Sequence, residues 1–159
     1  MDLVVFHASG LDCAFPLETV KEIVPMAMLS TPPGLAPCLA GFLNLRGNAI
    51  PILRLDRLFN LPEQRPGLYT PLIIFRTGNS PAGVLVSSVR RIVSAASAAF
   101  LPLPEHHIFR DCATASIEVS GDIIYLLSPE RILLENERSL LAELQVMEQA
   151  RLRNLEEIN

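Results

Sequence analysis

Short apolar segments separated by turn residues recur along most of this 159-residue chain, and this pattern constrains the fold more than any other feature. The spacing predicts β-strands over residues 3–8, 11–15, 42–45, 49–53, 72–76, 82–86, 90–94, 113–119 and 123–127. Three turn sequences connect such segments into hairpins: Ser9-Gly10, Arg46-Gly47-Asn48 and Ser120-Gly121-Asp122. Many short strands at even spacing favour small β-barrels or a sandwich over a parallel α/β sheet.

Two segments have helical spacing instead. Residues 17–24, which lie between two prolines, repeat apolar side chains at helical intervals and predict a short helix after the second strand. Ser128-Pro129-Glu130 has the N-cap, first-position proline and first-turn acid of a helix start. From there to Ile158 no glycine or proline interrupts an apolar stripe of approximately helical period. These residues predict a long C-terminal helix.

The composition predicts a chain with a hydrophobic core of its own. Half of the residues are apolar and 19% are charged, as in ordinary globular domains. We expect residues 1–136 to form a domain of two similar β-rich halves, with a seam near the Pro- and Gly-containing residues 61–70. Residues 95–105 are expected to form a loop, and residues 137–159 a helical extension.

Charge, hydropathy and cysteine usage argue against nucleic-acid binding, membrane insertion, secretion and a disulfide or zinc framework. A net charge of −4 argues against nucleic acid. The longest apolar runs are a few residues long, against the roughly 20 needed to cross a bilayer, and the first residues lack the pattern of a secretory signal. We therefore expect a cytoplasmic protein. Cys13, Cys38 and Cys112 are an odd number without CxxC spacing, which favours buried thiols without a disulfide over a disulfide framework or a zinc site.

Catalytic signatures are absent from the sequence. It contains no GxSxG, HExxH, GxGxxG or Gly-rich phosphate loop. His7 lies within a predicted strand, and the adjacent His106 and His107 have no well-placed third ligand for a metal. The sequence thus predicts no enzymatic activity, cofactor or metal. A small β-barrel enzyme with a polar, concave site is the alternative from another functional class.

Residues 41–55, GFLNLRGNAIPILRL, closely resemble the central motif of the CheW family, the coupling proteins of bacterial chemosensory arrays. The core of the motif is NLRG, followed by Pro51. The surroundings agree in order: ETVKEIV at 18–24 precedes it, GVLVSSVRRIV at 83–93 resembles a later strand pair, and LLSPERIL at 126–133 resembles the closing strand and helix. The resemblance covers residues 2 to about 136.

The resemblance implies two five-stranded, SH3-like β-barrels that share an apolar core, without enzymatic activity. It also implies two partners, the regulatory domain of a CheA-type histidine kinase and the cytoplasmic hairpin tip of chemoreceptors, so that the protein would lie at membrane receptor arrays without inserting into the membrane. The alternative within binding proteins is a divergent scaffold that binds one of these partners. Positions that match the family's partner-binding or supporting residues are Val20, Glu22, Ile23, Gly41, Arg46 and Val89.

Several of these positions also have purely structural interpretations. Arg46 stands at a turn, where its guanidinium can cap carbonyls of its own barrel or reach a partner helix. Gly41 suits a backbone position that requires positive φ or close approach. Val20 and Ile23 can be core residues instead of contact residues.

The sequence also departs from the family pattern. Arg54, Ser87 and Ser128 occupy positions that are usually acidic in the family. Loss of acids can alter the choice of partner, because complementary charge discriminates between partners. The apolar stripe of residues 137–159 leaves two options open, which are packing back on the barrels and association with another copy or a partner helix.

Overall fold

The computed structural model describes residues 1–76, 81–104 and 109–158, and within these ranges the protein is mostly β. The strands are β1 (Asp2–Ala8), β2 (Leu11–Pro16), β3 (Val20–Pro25), β4 (Leu39–Leu45), β5 (Asn48–Arg54), β6 (Pro71–Phe75), β7 (Gly83–Leu85), β8 (Ser88–Ser94), β9 (Ala99–Leu101), β10 (Ala113–Val119) and β11 (Asp122–Leu127). The α-helices are α1 (Leu55–Leu58) and α2 (Pro129–Ile158), and 3-10 turns cover Leu17–Thr19, Ala95–Ser97 and Arg110–Cys112.

The described strands form two sheets. One has six strands in the order β8-β1-β2-β11-β10-β9, and the other has five in the order β3-β6-β7-β5-β4. Neighbours are antiparallel except for the parallel pairs β2–β11 and β5–β7. Each sheet takes strands from both sides of residues 61–70. The edge strands of the six-stranded sheet are β8 and β9, and those of the five-stranded sheet are β3 and β4. In both sheets the two edge strands are therefore consecutive along the chain.

The three expected hairpins are confirmed, and their turns share one backbone geometry. In each turn two residues connect the strands, and the second is a glycine. The first residues, Ser9, Arg46 and Ser120, have φ of 48°, 52° and 52°, and the glycines have φ of 86° to 87°. Positive φ at both turn positions is the type I′ geometry, whose twist matches that of paired strands.

The prediction of a helix over residues 17–24 is wrong. A 3-10 turn at Leu17–Thr19 is followed by β3, which pairs with β6 in the register Val20↔Phe75, Ile23↔Ile73 and Val24↔Leu72. An isolated helix of this length is unstable in water, whereas β-branched residues fit a pleated sheet. Pairing with β6 therefore decides the structure.

The prediction of a loop over residues 95–105 is also wrong in part. This segment contains a 3-10 turn and strand β9, in which Phe100 lies opposite Ile117 of β10. The resemblance implies two five-stranded barrels, whereas the structure has a six-stranded and a five-stranded sheet. The additional strand of the six-stranded sheet is β9. The sequence did not predict this strand, because Pro102 directly after it is typical of a loop.

Buried apolar residues of the described chain form three clusters. One lies between the sheets and includes Phe6 and Phe15 from one sheet, Phe75 from the other, and Ile132 from α2. The second lies against the other face of the six-stranded sheet and the third against the other face of the five-stranded sheet. Strands such as β1 and β6 are therefore buried on both faces. This explains why their sequences are continuous apolar runs without a polar alternation.

Candidate partner-binding surface

An ion pair joins the turn between β4 and β5 to strand β3. The guanidinium of Arg46 donates two hydrogen bonds to the carboxylate of Glu22, at 2.9 and 3.1 Å. Arg46 is 68% exposed in its side chain and Glu22 is 25% exposed. The hydrogen bond from Arg46 lowers the pKa of Glu22, and the same bond raises the pKa of Arg46. Both side chains are therefore charged at neutral pH, and each holds the other in a defined position.

This ion pair connects opposite edges of the five-stranded sheet. Glu22 lies on the edge strand β3, while Arg46 follows the other edge strand, β4. Ser30, which follows β3, also forms a backbone bridge with Phe42 of β4. The amide of each residue donates a hydrogen bond to the carbonyl of the other at 2.9 Å. The sheet is thus curled enough for the Arg46 side chain, beyond one edge strand, to reach Glu22 on the other. This curvature brings together two predicted site residues that are 24 positions apart in sequence.

Gly41 is a buried residue of β4 at a register irregularity. Its φ is +149°, and an added Cβ would lie 2.8 Å from both the Leu29 Cβ and the Ser30 carbonyl oxygen. Those distances are shorter than any ordinary contact. The segment of Leu29 and Ser30 can therefore approach β4 this closely only where β4 has a glycine. Gly41 therefore allows Ser30 to pair with its neighbour Phe42 in β4.

The two apolar site residues of β3 have different environments. Val20 is 8% exposed and belongs to the central cluster between the sheets. Ile23 is 43% exposed, and it lies opposite Ile73, which is fully buried in the same cluster. Because directly opposite residues share a face of the sheet, Ile23 lies at the rim of that cluster. Of the two, Ile23 is the side chain accessible from solvent.

A row of buried aromatic rings connects Val20 with Val89. Val20 pairs with Phe75, whose ring is 5.1 Å from that of Phe15 in an edge-to-face contact. Phe15 stacks on Phe6 at 4.6 Å, and Phe6 lies opposite Val89 of β8. Val89 is partly buried against the central cluster. The six predicted positions thus divide into two groups. The side chains of Glu22, Ile23 and Arg46 reach solvent, whereas Val20, Gly41 and Val89 are buried or partly buried.

Two of the three departures from the family pattern belong to one polar network. Arg54 donates two hydrogen bonds to Asp56, at 3.1 and 2.7 Å, and both residues are buried. The backbone carbonyl of Gln64 accepts a hydrogen bond from Arg54, and the backbone amide of Gln64 donates to the Asp56 carboxylate at 2.9 Å. The Ser87 hydroxyl donates to the side-chain oxygen of Gln64 at 3.2 Å. The network fixes residues near 64 against the end of β5. The sequence did not predict it, although Arg54 and Asp56 are only two positions apart.

Ser128 supplies the cap of α2. The Arg131 amide donates to the Ser128 hydroxyl at 3.4 Å, and the Ser128 amide donates to the Cys112 carbonyl at 2.9 Å. A serine caps a helix about as well as an aspartate. The substitution therefore keeps the cap while it removes a negative charge.

Other reactive side chains of the described residues are engaged or buried. His7 and Asp12 are 3.1 Å apart, beside the looser pair of Arg91 and Asp122 at 3.9 Å. Burial, with a smaller effect from Asp12, raises the pKa of the Cys13 thiol well above its ordinary value. Cys13 and Cys112 are buried, as predicted, whereas Cys38 is only partly buried.

The described residues contain neither a cluster of metal ligands nor a membrane-spanning helix. In residues 1–76, 81–104 and 109–158, no three His, Cys, Asp or Glu side chains converge as metal ligands would. His106 and His107 lie outside the described residues. Within the described part of the chain, no helix has both the length and the apolar character that crossing a membrane requires.

Two β-sheets around a shared core, with an exposed Arg-Glu pair at the edges of one of them, are the features of a small β-rich protein-binding module. Residues 2–137 match the family model described as CheW-like domain. The chain therefore belongs to the CheW-like family, whose members are non-enzymatic scaffold proteins, and the alternative of a small β-barrel enzyme is set aside.

Individual proteins agree with this family assignment. The chain is 27% identical over 103 residues to the chemotaxis protein CheW of Bacillus subtilis (strain 168), covering 65% of this chain and 66% of that protein. It is 30% identical over 99 residues to the protein FrzA of Myxococcus xanthus, covering 62% of each. The matches thus span less than two thirds of either relative. The crystal structure of the scaffolding protein TtCheW from Thermoanaerobacter tengcongensis has the same fold, with a TM-score of 0.71 at 21% identity, over 80% of this chain and 88% of that chain.

Proposed function

We propose that this protein is a non-enzymatic adaptor that couples chemoreceptors to a CheA-type histidine kinase. It would bind the regulatory domain of the kinase and the cytoplasmic tip of the receptor, in the cytoplasm at receptor arrays. The observation that carries the proposal is the Glu22–Arg46 ion pair, which joins a residue of the family's central motif to β3 where the two edges of the five-stranded sheet approach each other. Family membership supports the same function.

The chemistry of this edge suits a protein partner. Arginine and exposed apolar residues are enriched at protein interfaces, because an arginine makes several hydrogen bonds and an apolar side chain releases water. Glu22 holds the Arg46 fork in place before binding, so less conformational entropy is lost when a partner arrives. Ile23, the next residue of β3, supplies an exposed apolar contact on the opposite face of this edge strand. We assign direct contact to Glu22, Ile23 and Arg46, and support to Val20, Gly41 and Val89.

We further propose that residues 1–136 are the adaptor domain and residues 137–159 an extension of it. In this proposal each curled sheet corresponds to one SH3-like barrel, with residues 61–70 as the connection between two halves of the sequence. The consecutive edge strands of each sheet support this, since a sheet that closes on itself brings its edges together.

A divergent scaffold that binds one partner is the second candidate. Ser87 and Ser128 lack the negative charge that the family usually has, which favours a changed surface potential. Arg54 contributes less to such a change, because it is buried and paired with Asp56. Binding measured separately against kinase and receptor fragments discriminates the two candidates: affinity for one fragment alone favours the second.

The test of the site is the substitution Arg46→Ala, with circular dichroism as the check of folding. We expect weaker binding to at least one of the two fragments at unchanged fold, because the exposed guanidinium is lost. Arg153→Ala, which removes an exposed arginine of α2, is the matched control and should bind normally. Normal binding of a folded Arg46→Ala variant to both fragments would show that the site assignment is wrong.

The double substitution of Glu22→Arg with Arg46→Glu separates two roles of the ion pair. It restores an ion pair between the two edges while it exchanges the positions of the charges. Recovery of binding in the double variant would mean that the pair acts by holding the sheet edges together. Continued loss would mean that a partner contacts Arg46 itself, which is the outcome we expect.

A further inference from the structure

The two sheets share one arrangement of strands. In order along the chain, β1, β2 and β3 correspond to β6, β7 and β8, and the hairpin β4–β5 with α1 corresponds to the hairpin β10–β11 with α2. The pairing registers agree with this match. Ile23 of β3 lies opposite Ile73, and Ile92 of β8 lies opposite Val4. A feature of one half can therefore be compared with the equivalent position of the other.

The two helices also start at equivalent positions, as the parallel strand pairs show. Ile52 of β5 lies opposite Gly83. Leu126 of β11 lies opposite Ala14, the counterpart of Gly83 in β2. Counting onward by the same number of residues gives three matched pairs at the helix starts: Arg54 and Ser128, Asp56 and Glu130, and Leu58 and Ile132. Both members of the last pair are buried in the central cluster, as the match requires.

The space at the start of α1 is filled by the chain itself. Helix α1 ends after four residues, and the chain reverses at Asn60, where φ is 54°. Gln64 then returns to the helix start. Its backbone amide donates to the Asp56 carboxylate, its backbone carbonyl accepts from the Arg54 guanidinium, and its side-chain oxygen accepts from the Ser87 hydroxyl. A carboxylate, a guanidinium and a hydroxyl thus hold one peptide segment.

The equivalent place at the start of α2 is an open groove. Helix α2 continues to Ile158, so the residues that follow its first turn do not reverse and cover that start. The groove has a volume of about 530 Å³ and lies between α2, the end of β6 and the 3-10 turn before β3. Its lining includes the same three kinds of polar group as the filled place: the Glu130 carboxylate, the Arg76 guanidinium and the Thr19 hydroxyl.

These polar groups are available to a ligand. Glu130 and Arg76 are exposed, and neither side chain forms a hydrogen bond or an ion pair with another described residue. The Thr19 hydroxyl donates to the Pro16 carbonyl at 2.6 Å, which leaves its oxygen able to accept from a donor outside the chain. An acceptor for a peptide N–H and a donor for a peptide carbonyl are thus both present, as they are for Gln64.

The apolar residues and the charge of the groove define the peptide that it fits. Leu133 is half-buried and Leu134 is 51% exposed, so an apolar side chain of the peptide would be covered there. Glu137 lies about two turns beyond Glu130 and raises the groove to two carboxylates against one guanidinium. Because complementary charge selects between partners, a basic side chain is favoured over an acidic one.

We propose that the groove at the start of α2 binds an extended peptide segment of a partner protein that carries an apolar residue and a basic residue. Glu130 accepts a backbone amide of the segment as Asp56 does in the filled place, and Arg76 donates to a backbone carbonyl. The basic residue pairs with Glu137. Backbone hydrogen bonds supply affinity in this mode, and side-chain contacts supply specificity. The inference goes beyond the proposed coupling function, because it uses none of the six positions assigned to that function.

The chain's own segment at the equivalent place supplies a probe. A synthetic peptide with the sequence of residues 60–66, in which Glu63→Gln removes the acid, offers a leucine, backbone amides and an arginine. It is titrated into the ¹⁵N-labelled full-length protein. We expect saturable shifts of the backbone amides around Arg76 and Glu130, with a dissociation constant on the order of 1 mM.

Removal of the two hydrogen-bonding groups tests the assigned geometry. Glu130→Ala should weaken binding roughly 5-fold, whereas Glu118→Ala, which removes an exposed carboxylate outside the groove, should bind as wild type does. A peptide N-methylated at the position of Gln64 should also bind wild type roughly 5-fold more weakly. The same methylation should make no difference to Glu130→Ala, because the acceptor is already gone.

Four results would overturn the proposal. They are a titration without saturable shifts at the groove, shifts confined to the start of α1, wild-type affinity of a Glu130→Ala variant, and equal losses on methylation in wild type and in that variant. Circular dichroism checks that each variant is folded as wild type is.

Discussion

Replacement of Arg54 by methionine should destabilise the protein by leaving the Asp56 carboxylate buried without its cation. Asp56 is 4% exposed, and Arg54 makes two of its hydrogen bonds. Breaking a buried ion pair by removing one partner costs about 3–5 kcal/mol. Asp56 would retain donors from the Arg57 and Gln64 amides, at 3.0 and 2.9 Å. We therefore expect a loss near the lower limit, about 3 kcal/mol in the free energy of unfolding.

Thermal and urea denaturation measure this loss. For a chain of this size, about 3 kcal/mol corresponds to a fall in Tm of roughly 6–12 °C. The double variant Arg54→Met with Asp56→Leu removes both charges, so it should recover most of the lost stability. An Arg54→Met variant within about 0.5 kcal/mol of wild type, or a double variant less stable than the single, would refute this reasoning.

The same pair predicts a pH dependence. Burial by itself would raise the pKa of Asp56, but hydrogen bonds from Arg54 and from the Gln64 and Arg57 amides outweigh burial and hold the pKa below its usual value. A lowered native pKa stabilises the fold at pH values above the unfolded pKa of about 3.9, and this stabilisation is lost as the pH falls through the native value. The difference between wild type and Arg54→Met should therefore be largest at neutral pH and should shrink towards pH values of about 4 and below.

Three further changes test local features of the fold. Gly41→Ala should lower the free energy of unfolding by about 2 kcal/mol, because its Cβ would lie 2.8 Å from Leu29 and Ser30; urea denaturation at wild-type stability would contradict this. Ser120→Asn should raise stability by about 0.5 kcal/mol, since asparagine tolerates the φ of 52° better than serine does; an unchanged or lower Tm would count against it. The buried Cys13 thiol should resist a thiol reagent in the native protein and react after denaturation, and modification of Cys13 in the folded protein, detected by mass spectrometry, would contradict its burial.

The strands and hairpins could be predicted from the sequence because local chemistry determines them. A residue-Gly turn between apolar runs fixes two strands and their register without any distant contact, as Ser9-Gly10 and Ser120-Gly121 do. The family followed from the NLRG motif at residues 44–47, which lies at one such hairpin.

Other features depended on contacts between distant segments. Residues 20–25 satisfy helical and strand spacing alike, and β6, nearly fifty residues further on, decided between them. The network around Asp56 was equally inaccessible, since Gln64 approaches it through a loop whose path no local pattern encodes.

By itself, the sequence determined most of the strands other than β3 and β9, the three hairpin turns, and the family, because turn residues and short motifs act over a few positions. The tertiary structure alone decided that the strands interleave into two sheets and that Glu22 meets Arg46 across 24 positions. It also decided which apolar residues are exposed and which are buried in the core. The physical reason is that burial and sheet curvature depend on all strands together, so no single segment contains the information that sets them.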